Sequence, residues 1–301
     1  MALLPDISTE DDYRARFPQN DVWAPAVRAI CDRHGLDPSA IQRGTLGSNV
    51  VFQCGDVFVK LFPPLWAADF VRERTVLSHV RGLPIPELVA EGDVEEWPYL
   101  VVSAVPGTPA GELWPELEPD DRANVVLQLG QLMRRLHEHS IPADLPADWV
   151  GFLRERLDRA ETHQAVGEPW LTWLRERIAG FAEPNGQRVV LSADITGDHV
   201  LLGRVAGRLE ITGFIDFGDA RVGHPWYEFV APFAFYTFGR PGLSRLLVES
   251  YGLPLTPELA DRLTTWCLLH EFGRISDFLE SCPVDDGAGF HRALWGALGQ
   301  S

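Results

Sequence analysis

Two short acidic segments carry the most informative pattern of this chain: residues 191–199 read LSADITGDH, and residues 215–219 read IDFGD. Asp194 lies in a loop between apolar, strand-like runs, and Asp216 ends the second strand of a predicted hairpin (VLLGRV, 200–205, then LEITGFIDF, 209–217). Because a hairpin folds back on itself, the two carboxylates that flank it can face one cleft. The alternative is that each aspartate only stabilises its own turn, as Asp does in many loops.

Paired aspartates in one cleft suit phosphoryl transfer. One carboxylate can orient an attacking hydroxyl and accept its proton, and another can hold the Mg²⁺ that bridges the phosphate oxygens. Three upstream features favour this interpretation over two unrelated turns, namely a glycine turn, a lysine in a strand and a glutamate on a helix.

The glycine turn lies within IQRGTLGSNVVFQCGDVFVKLF (41–62), a β-rich segment with a second turn at Gly55-Asp56. Its residues run from Gly44 through Gly47 and Ser48 to Asn49. Backbone amides of such a turn can approach phosphate closely, because glycine has no Cβ in the way. An ordinary hairpin turn fits the same residues equally well.

Lys60 lies in the apolar strand FVKLF, and Glu73 lies on a helix predicted over 67–81. The predicted apolar face of that helix carries Phe70, Glu73, Leu77 and Val80. A buried ammonium needs an anionic partner, and a carboxylate on an apolar face is costly unless it is paired. We therefore predict a Lys60–Glu73 ion pair. The alternatives are an edge-strand lysine and a helix that turns Glu73 to water.

The distribution of elements predicts an α+β fold with two lobes. A small, strand-rich lobe (1–105) ends with PYLVVSAV (98–105) and is followed by a Pro106–Pro109 hinge. A larger, mostly helical lobe (106–301) contains helices around 125–136 and 150–181, a short strand pair, VVLSA (189–193) with VLLGRV, and a longest helix at 257–281.

Composition limits the function classes. The 301 residues include 26 Lys+Arg and 43 Asp+Glu, a formal charge of −17, which disfavours nucleic acid and would attract cationic ligands. No apolar run approaches the ~20 residues of a membrane span, and the acidic start MALLPDISTEDD does not resemble a signal peptide, so a cytoplasmic protein without a membrane partner is expected. The four cysteines are far apart, which favours buried thiols over a disulfide framework or a zinc site.

The order of glycine turn, strand lysine, helix glutamate, hinge, loop aspartate and second aspartate resembles the aminoglycoside phosphotransferase family, whose fold is similar to that of protein kinases. The family's catalytic loop usually reads H-G-D-x-x-x-x-N and its metal motif I-D-F/W-x-D/E; here they read S-A-D-I-T-G-D-H and I-D-F-G-D. The resemblance implies a kinase-like fold, with Asp194 as the catalytic aspartate and Asp216 as a metal ligand.

The resemblance also implies the cofactors, ATP or GTP with Mg²⁺ or Mn²⁺. Lys60 would contact the α- and β-phosphates while Glu73 holds it, and the hinge residues Ser103 to Val105 would contact the purine through their backbone. The residues expected at the nucleotide are Gly44, Gly47, Ser48, Asn49, Lys60, Glu73, Ser103 and Val105.

Two positions depart from the family pattern. Ser192 stands where the family has His, and His199 stands where it has the metal-binding Asn. Mg²⁺ prefers oxygen, whereas imidazole offers nitrogen. His199 therefore leaves three options open: it holds a metal-bound water, it binds a softer metal such as Mn²⁺, or one of two metal sites is empty. The neighbouring Asp198 is a candidate for the missing oxygen ligand. A nucleotide-binding relative without catalytic activity is the corresponding functional alternative.

In this family, acidic residues of the helical lobe receive the ammonium groups of the acceptor. The expected substrate-binding residues are Asp198, Glu271, Asp277 and Glu280, the last three on the predicted 257–281 helix, although a solvated acidic surface fits them as well. Likeness within the family, carried by FVKLF, WPYLVVSAVPGT and LLHEFGRISDFLE, implies hygromycin B as the acceptor. The sequence leaves the oligomeric state open, with a monomer favoured. Choline, homoserine or a macrolide remain alternative acceptors.

Overall fold

The structure, a computed structural model, describes residues 2–44 and 47–298. The strands are β1 (Gln42–Arg43), β2 (Val50–Cys54), β3 (Val57–Leu61), β4 (Leu88–Val94), β5 (Trp97–Ser103), β6 (Thr108–Pro109), β7 (Val189–Leu191), β8 (Val200–Val205), β9 (Arg208–Phe214) and β10 (Arg221–Gly223). The helices are α1 (Glu10–Arg16), α2 (Asn20–His34), α3 (Ala67–His79), α4 (Ala110–Leu113), α5 (Pro119–His137), α6 (Trp149–Gln164), α7 (Trp170–Ala179), α8 (Val230–Pro232), α9 (Pro241–Tyr251), α10 (Pro257–Trp266), α11 (Ile275–Ser281) and α12 (Gly287–Trp295). Within the described residues, no helix combines the length and apolar character that a membrane crossing requires.

The first part of the chain forms an antiparallel five-stranded sheet in the order β1-β2-β3-β5-β4. The β2–β3 hairpin turns at Gly55, whose φ of +63° suits glycine. Strand β3 lies between β2 and β5, so Lys60 pairs with Val51 on one side and Leu100 on the other. The edge-strand alternative for Lys60 is therefore wrong.

Helix α3 packs against β5 and β4 and contributes Glu73 to the interior. It ends at His79, two residues before the predicted end, because Val80 is extended. Leu77 and Val80 are buried as the helical spacing predicted, and Phe70 packs against the same core. Helix α2 packs on β2 and β4, where Trp23 is fully buried.

The larger part of the chain is mostly helical and surrounds two small sheets. The long helix α5 packs against α9, and Gly130 permits the close approach: a Cβ there would lie 2.7 Å from the Leu247 carbonyl oxygen. The hairpin β8–β9 pairs with β6, and β7 pairs with β10. The structure thus confirms the α+β class, with a strand-rich sheet region followed by a helical region.

Two further details of the sequence prediction are wrong. The segment 189–193 pairs with β10 rather than with 200–205. The predicted 257–281 helix is two helices, α10 and α11, separated by residues 267–274. The His270 ring explains this break, because its Nδ1 accepts hydrogen bonds from the Gly273 and Phe272 amides (3.0 and 3.3 Å), which then do not continue a helical ladder.

Candidate active site

A buried ion-pair chain connects the sheet, helix α3 and the segment after β9. Lys60 Nζ lies 2.5 Å from Glu73 Oε2 and 3.1 Å from Asp216 Oδ1. Lys60 and Glu73 are only 6% and 4% exposed. The predicted Lys60–Glu73 pair is present, and the structure adds Asp216 as a second anionic partner.

The opposite charges of Lys60 and its two carboxylate partners stabilise one another. Burial disfavours the Lys60 ammonium, but the carboxylates of Asp216 and Glu73 outweigh it and hold the pKa of Lys60 above its ordinary value. Burial would likewise raise the pKa of Asp216, but the Lys60 ammonium outweighs it and lowers that pKa to about 2. Asp216 is therefore ionised throughout the neutral range.

The backbone aims the Asp216 carboxylate into the cleft. Strand β9 ends at Phe214, the Ile215 amide donates to the His199 carbonyl (2.9 Å), and Asp216 adopts a left-handed φ of +65°. The Gly218 amide then donates to Asp216 Oδ1 (3.2 Å). A non-glycine residue in this conformation is strained, which is a frequent property of functional sites.

His199 lies between the two predicted aspartates. Its Nδ1 is 2.6 Å from the backbone oxygen of Asp194 and 3.6 Å from Asp194 Oδ2, while its Nε2 is 3.9 Å from Asp216 Oδ2. Since a carbonyl only accepts, Nδ1 carries the hydrogen in that bond. Each carboxylate thus has an oxygen within 4 Å of the same imidazole, which agrees with the closeness that the hairpin argument required. Asp216 and His199 line the cleft cavity, whereas Asp194 is not among its lining residues.

The Asp194 carboxyl is an unusually basic aspartate. Burial raises its pKa to about 6, although the nearby His199 lowers it and the neighbouring carboxylates raise it further. A carboxylate with this pKa is ionised at pH 7 and is more basic than a solvated aspartate. These properties suit a group that orients a hydroxyl and receives its proton.

Glu228, which the sequence analysis missed, supports the loop that carries Asp194. Its side chain, 2% exposed, accepts hydrogen bonds from the Ser192 and Ala193 amides, each at 2.9 Å. His137 Nε2 lies 3.1 Å from the same carboxylate and donates to it. A glutamate 34 positions downstream of Asp194 has no motif spacing that reveals this role.

His270 supports the loop from the other side. Its Nε2 donates to the Ala193 carbonyl (3.0 Å), and its Nδ1 is occupied as an acceptor, which fixes the tautomer. Burial lowers the pKa of His270 to about 4, so the ring is neutral at pH 7. Ala193 has a φ of +70°. The loop without its expected histidine at 192 therefore receives an imidazole contact from residue 270, a position that sequence spacing does not indicate.

A cavity of about 370 Å³ lies between the sheet and the loops that carry Asp216 and His199. Predicted residues that line it are Gly44, Gly47, Lys60, Glu73, Ser103, Val105, Asp198, His199 and Asp216. Asn49 is buried, and Ser48 lines a different cavity. Thr45 and Leu46 of the glycine turn lie outside the described residues. The apolar lining that the sequence analysis did not identify comes from Val51, Phe58, Val102, Leu201 and Ile215.

The donors present fit a magnesium site that is completed by a nucleotide. Within residues 2–44 and 47–298, no three His, Cys, Asp or Glu side chains are placed to hold a metal ion by themselves. Mg²⁺ at nucleotides commonly takes one or two carboxylates and fills its shell with phosphate oxygens and water. Asp216 Oδ2 satisfies this requirement, because the bonds from Lys60 and Gly218 occupy the other oxygen, Oδ1.

The predicted acceptor residues do not lie together on one helix. Glu271 is in the loop after α10, where Arg221 Nη2 binds it at 2.6 Å. Asp277 Oδ2 accepts from the Arg274 amide (2.7 Å) and caps α11, while Glu280 is exposed near the end of that helix. Glu271, Asp277 and Glu280 do not share one helix face, because the helix predicted over 257–281 is interrupted at 267–274.

Comparisons with known proteins identify the family of this chain. The model of the phosphotransferase enzyme family matches residues 32–262. An aminoglycoside 3'-phosphotransferase of Streptomyces fradiae is 35% identical over 162 residues (48% of this chain, 56% of that protein), and one of Streptomyces ribosidificus is 31% identical over 150 residues (47% and 55%). The chain thus spans about half the length of these curated relatives.

Solved structures show the same fold. The GDP and kanamycin complex of APH(2")-IIia superposes with a TM-score of 0.67 at 18% identity, covering 80% of this chain and 87% of that one. APH(3'')-Id from Streptomyces rimosus, in complex with ADP and streptomycin, gives a TM-score of 0.55 at 18% identity, covering 81% and 96%. These likenesses confirm the predicted kinase-like fold. With the family match across most of its length, the chain belongs to the phosphotransferase enzyme family.

Proposed function

We propose that this protein is a small-molecule kinase that transfers the γ-phosphoryl group of ATP or GTP to a hydroxyl of an aminoglycoside. The observation that carries the proposal is the convergence of Asp194 and Asp216 on His199, with Lys60 bonded to Asp216 at 3.1 Å. This arrangement provides a base for the hydroxyl and a cation for the phosphates in one cleft.

Asp194 has the role of orienting the acceptor hydroxyl and accepting its proton. Glu228 and His270 hold the backbone on either side of Ala193, so the carboxylate keeps its direction without rearrangement. Preorganised geometry of this kind is a large part of catalysis when positioning dominates the reaction, as it does in phosphoryl transfer.

Lys60 has the role of binding the α- and β-phosphates, and Glu73 and Asp216 hold its ammonium in place. Asp216 with His199 would hold Mg²⁺ or Mn²⁺, which when bound neutralises charge on the phosphates. The apolar part of the cavity, next to Ser103 and Val105, suits a purine. We also propose that residues 1–105 form a nucleotide-binding lobe and that residues 106–301 form a catalytic and acceptor-binding lobe.

The acceptor class follows from charge and from the relatives. The net charge of −17 attracts polycations, and the curated relatives are aminoglycoside 3'-phosphotransferases. Hygromycin B is the first acceptor to test, because of the sequence segments quoted above. Kanamycin and streptomycin, bound in the structural neighbours, are the next two.

The test is a transfer assay with purified protein, ATP or GTP, Mg²⁺ or Mn²⁺, and each antibiotic in turn. The expected result is acceptor-dependent ADP or GDP release and a phosphorylated antibiotic detected by mass spectrometry. Asp194→Asn should abolish transfer and retain nucleotide binding. Undiminished transfer by this variant would refute the role of Asp194, and nucleotide binding without transfer to any acceptor would favour the non-catalytic alternative.

A further inference from the structure

Helix α1 lies outside the part of the chain that the family model matches, which begins at residue 32. This helix nevertheless contacts the glycine turn directly. The Tyr13 hydroxyl donates a hydrogen bond to the Ser48 carbonyl at 2.7 Å. Burial raises the pKa of Tyr13 above its ordinary value, so the hydroxyl keeps the proton that it donates.

Aromatic neighbours fix the direction of the Tyr13 side chain. Tyr13 is only 2% exposed, and its ring packs edge-on against Trp66, with centroids 4.9 Å apart. The rings of Trp23 and Trp97 lie 5.9 and 6.4 Å from it. These partners come from α2, from β5 and from the segment between β3 and α3. The hydroxyl is therefore a rigid donor, because its ring cannot turn away without disturbing a closely packed core.

A second contact holds the beginning of the turn. Arg43, the last residue of β1, donates from Nη2 to the carbonyl of Phe17, the residue that follows α1, at 3.3 Å. The guanidinium carbon of Arg43 also lies 4.6 Å from the centre of the Phe17 ring. Residues 13–17 thus bind the chain on both sides of the turn, at Arg43 and at Ser48.

The anchored end of the turn lies beside the Asp216 carboxylate. Gly47 immediately precedes Ser48, and a Cβ placed on Gly47 would lie 3.8 Å from Asp216 Oδ2. Gly47 also lines the cavity of about 370 Å³ described above, which we call the nucleotide cavity. The position of Gly47 in this cavity therefore depends on the hydrogen bond that Tyr13 makes to the next residue.

We infer that Tyr13 is a positioning residue for the nucleotide, because its hydrogen bond holds Gly47 where the backbone of the turn can contact the phosphates. Gly47 and Ser48 are exposed to solvent, and a glycine loses more conformational freedom than other residues when it becomes ordered. The bond to α1 fixes Ser48 before the nucleotide arrives, which reduces the entropy cost of binding. The inference rests on the proposed function and deepens it, because it gives a helix outside the family match a part in nucleotide binding.

The test replaces Tyr13 by phenylalanine, which removes the hydroxyl and retains the packed ring. Calorimetric titration with Mg²⁺ present measures the affinity for the nucleotide, ATP or GTP, that the wild type binds more tightly, and for the corresponding nucleoside. Tyr13→Phe should weaken nucleotide binding about fivefold, which is the scale of one hydrogen bond. Nucleoside affinity should be unchanged, because adenosine and guanosine carry no phosphate. A merely structural role would change both affinities or neither.

The matched control is Tyr99→Phe, which removes a buried tyrosine hydroxyl that binds α2 instead of the glycine turn. Tyr99 is 1% exposed, and its hydroxyl lies 3.1 Å from Arg33 Nη1 and 2.9 Å from His34 Nε2. The described lining of the nucleotide cavity includes none of these three residues. This variant should keep the wild-type affinity for nucleotide and nucleoside. Thermal melting checks that both variants are folded.

The outcomes separate this inference from the proposed function. If Tyr13→Phe binds the nucleotide as tightly as the wild type, or if it binds nucleotide and nucleoside equally less tightly, the inference is wrong and the proposed function stands. The inference is also wrong if Tyr99→Phe weakens nucleotide binding as much as Tyr13→Phe does. If neither ATP nor GTP binds the wild type, the proposed function fails, and the inference fails with it.

Discussion

Replacing Glu228 by glutamine tests whether the loop of Asp194 is held by a buried carboxylate. Glu228 Oε1 accepts from the Ala193 amide, and Oε2 accepts from the Ser192 amide and from His137. Glutamine has one oxygen, and its NH₂ group cannot accept a hydrogen bond. In the better of its two orientations, the oxygen replaces Oε2, and the Ala193 amide is left facing a second donor.

The magnitude follows from that one lost bond. Leaving a buried donor without an acceptor costs about 2 kcal/mol. In a protein of this size that free energy corresponds to a fall in Tm of about 4 °C. Because Ala193 precedes Asp194, a small displacement of the loop should also lower kcat, by about 100-fold. The KM for ATP should stay within twofold, since Glu228 does not line the nucleotide cavity.

The assay is steady-state ADP release together with a melting curve for each protein. The matched control is Glu258→Gln, which alters an exposed carboxylate paired with Arg262 at 2.8 Å and should change the free energy of unfolding by less than about 1 kcal/mol. A Glu228→Gln protein that melts about 4 °C lower but keeps wild-type kcat would refute the positioning role and leave a structural one. Unchanged melting would refute the hydrogen-bond argument itself.

Three further substitutions and one pH profile test other parts of the site and the fold. Turnover should increase as pH rises through about 6, where Asp194 ionises; a flat profile between pH 5 and 7 would contradict this. The pKa of Asp194 is higher in the folded state than in the unfolded state, so the folded state binds more protons between about pH 4 and 6. The free energy of unfolding therefore falls as the pH rises from about 4 to 6. Asp194→Asn should therefore abolish turnover yet melt higher than the wild type at pH 7.5. Lys60→Ala leaves buried Glu73 and Asp216 without their cation and should cost about 3–5 kcal/mol and weaken ATP binding, measured by denaturation and titration. Gly130→Ala forces α5 from α9 and should lower Tm by several degrees with KM values unchanged.

Local sequence patterns were sufficient to predict several contacts of the candidate site. The apolar spacing around Glu73 and the position of Lys60 in an apolar strand predicted their ion pair, because burying either charge alone is costly. The hairpin predicted that Asp194 and Asp216 lie close together, since strand geometry brings its flanks together, and each has an oxygen within 4 Å of His199. Both inferences concern elements that are close in the sequence, so a short connection brings their side chains together.

Local pattern failed where the contact joins distant segments. The 267–274 break depends on His270, whose ring replaces helical hydrogen bonds and reaches the Ala193 carbonyl. Glu271, predicted on a helix face, is therefore in a loop and pairs with Arg221. No periodicity encodes a hydrogen bond between residues 77 positions apart in the chain.

The amino-acid sequence by itself determined which chemistry is available: two acidic segments around a hairpin, a lysine that must be paired, and a strongly negative charge. The folded chain was needed to show which groups hold Asp194 in place and that Asp216 also binds Lys60. The physical reason is that hydrophobic periodicity determines which face of an element is buried, whereas the partner of a buried polar group is chosen by the packing of the whole chain.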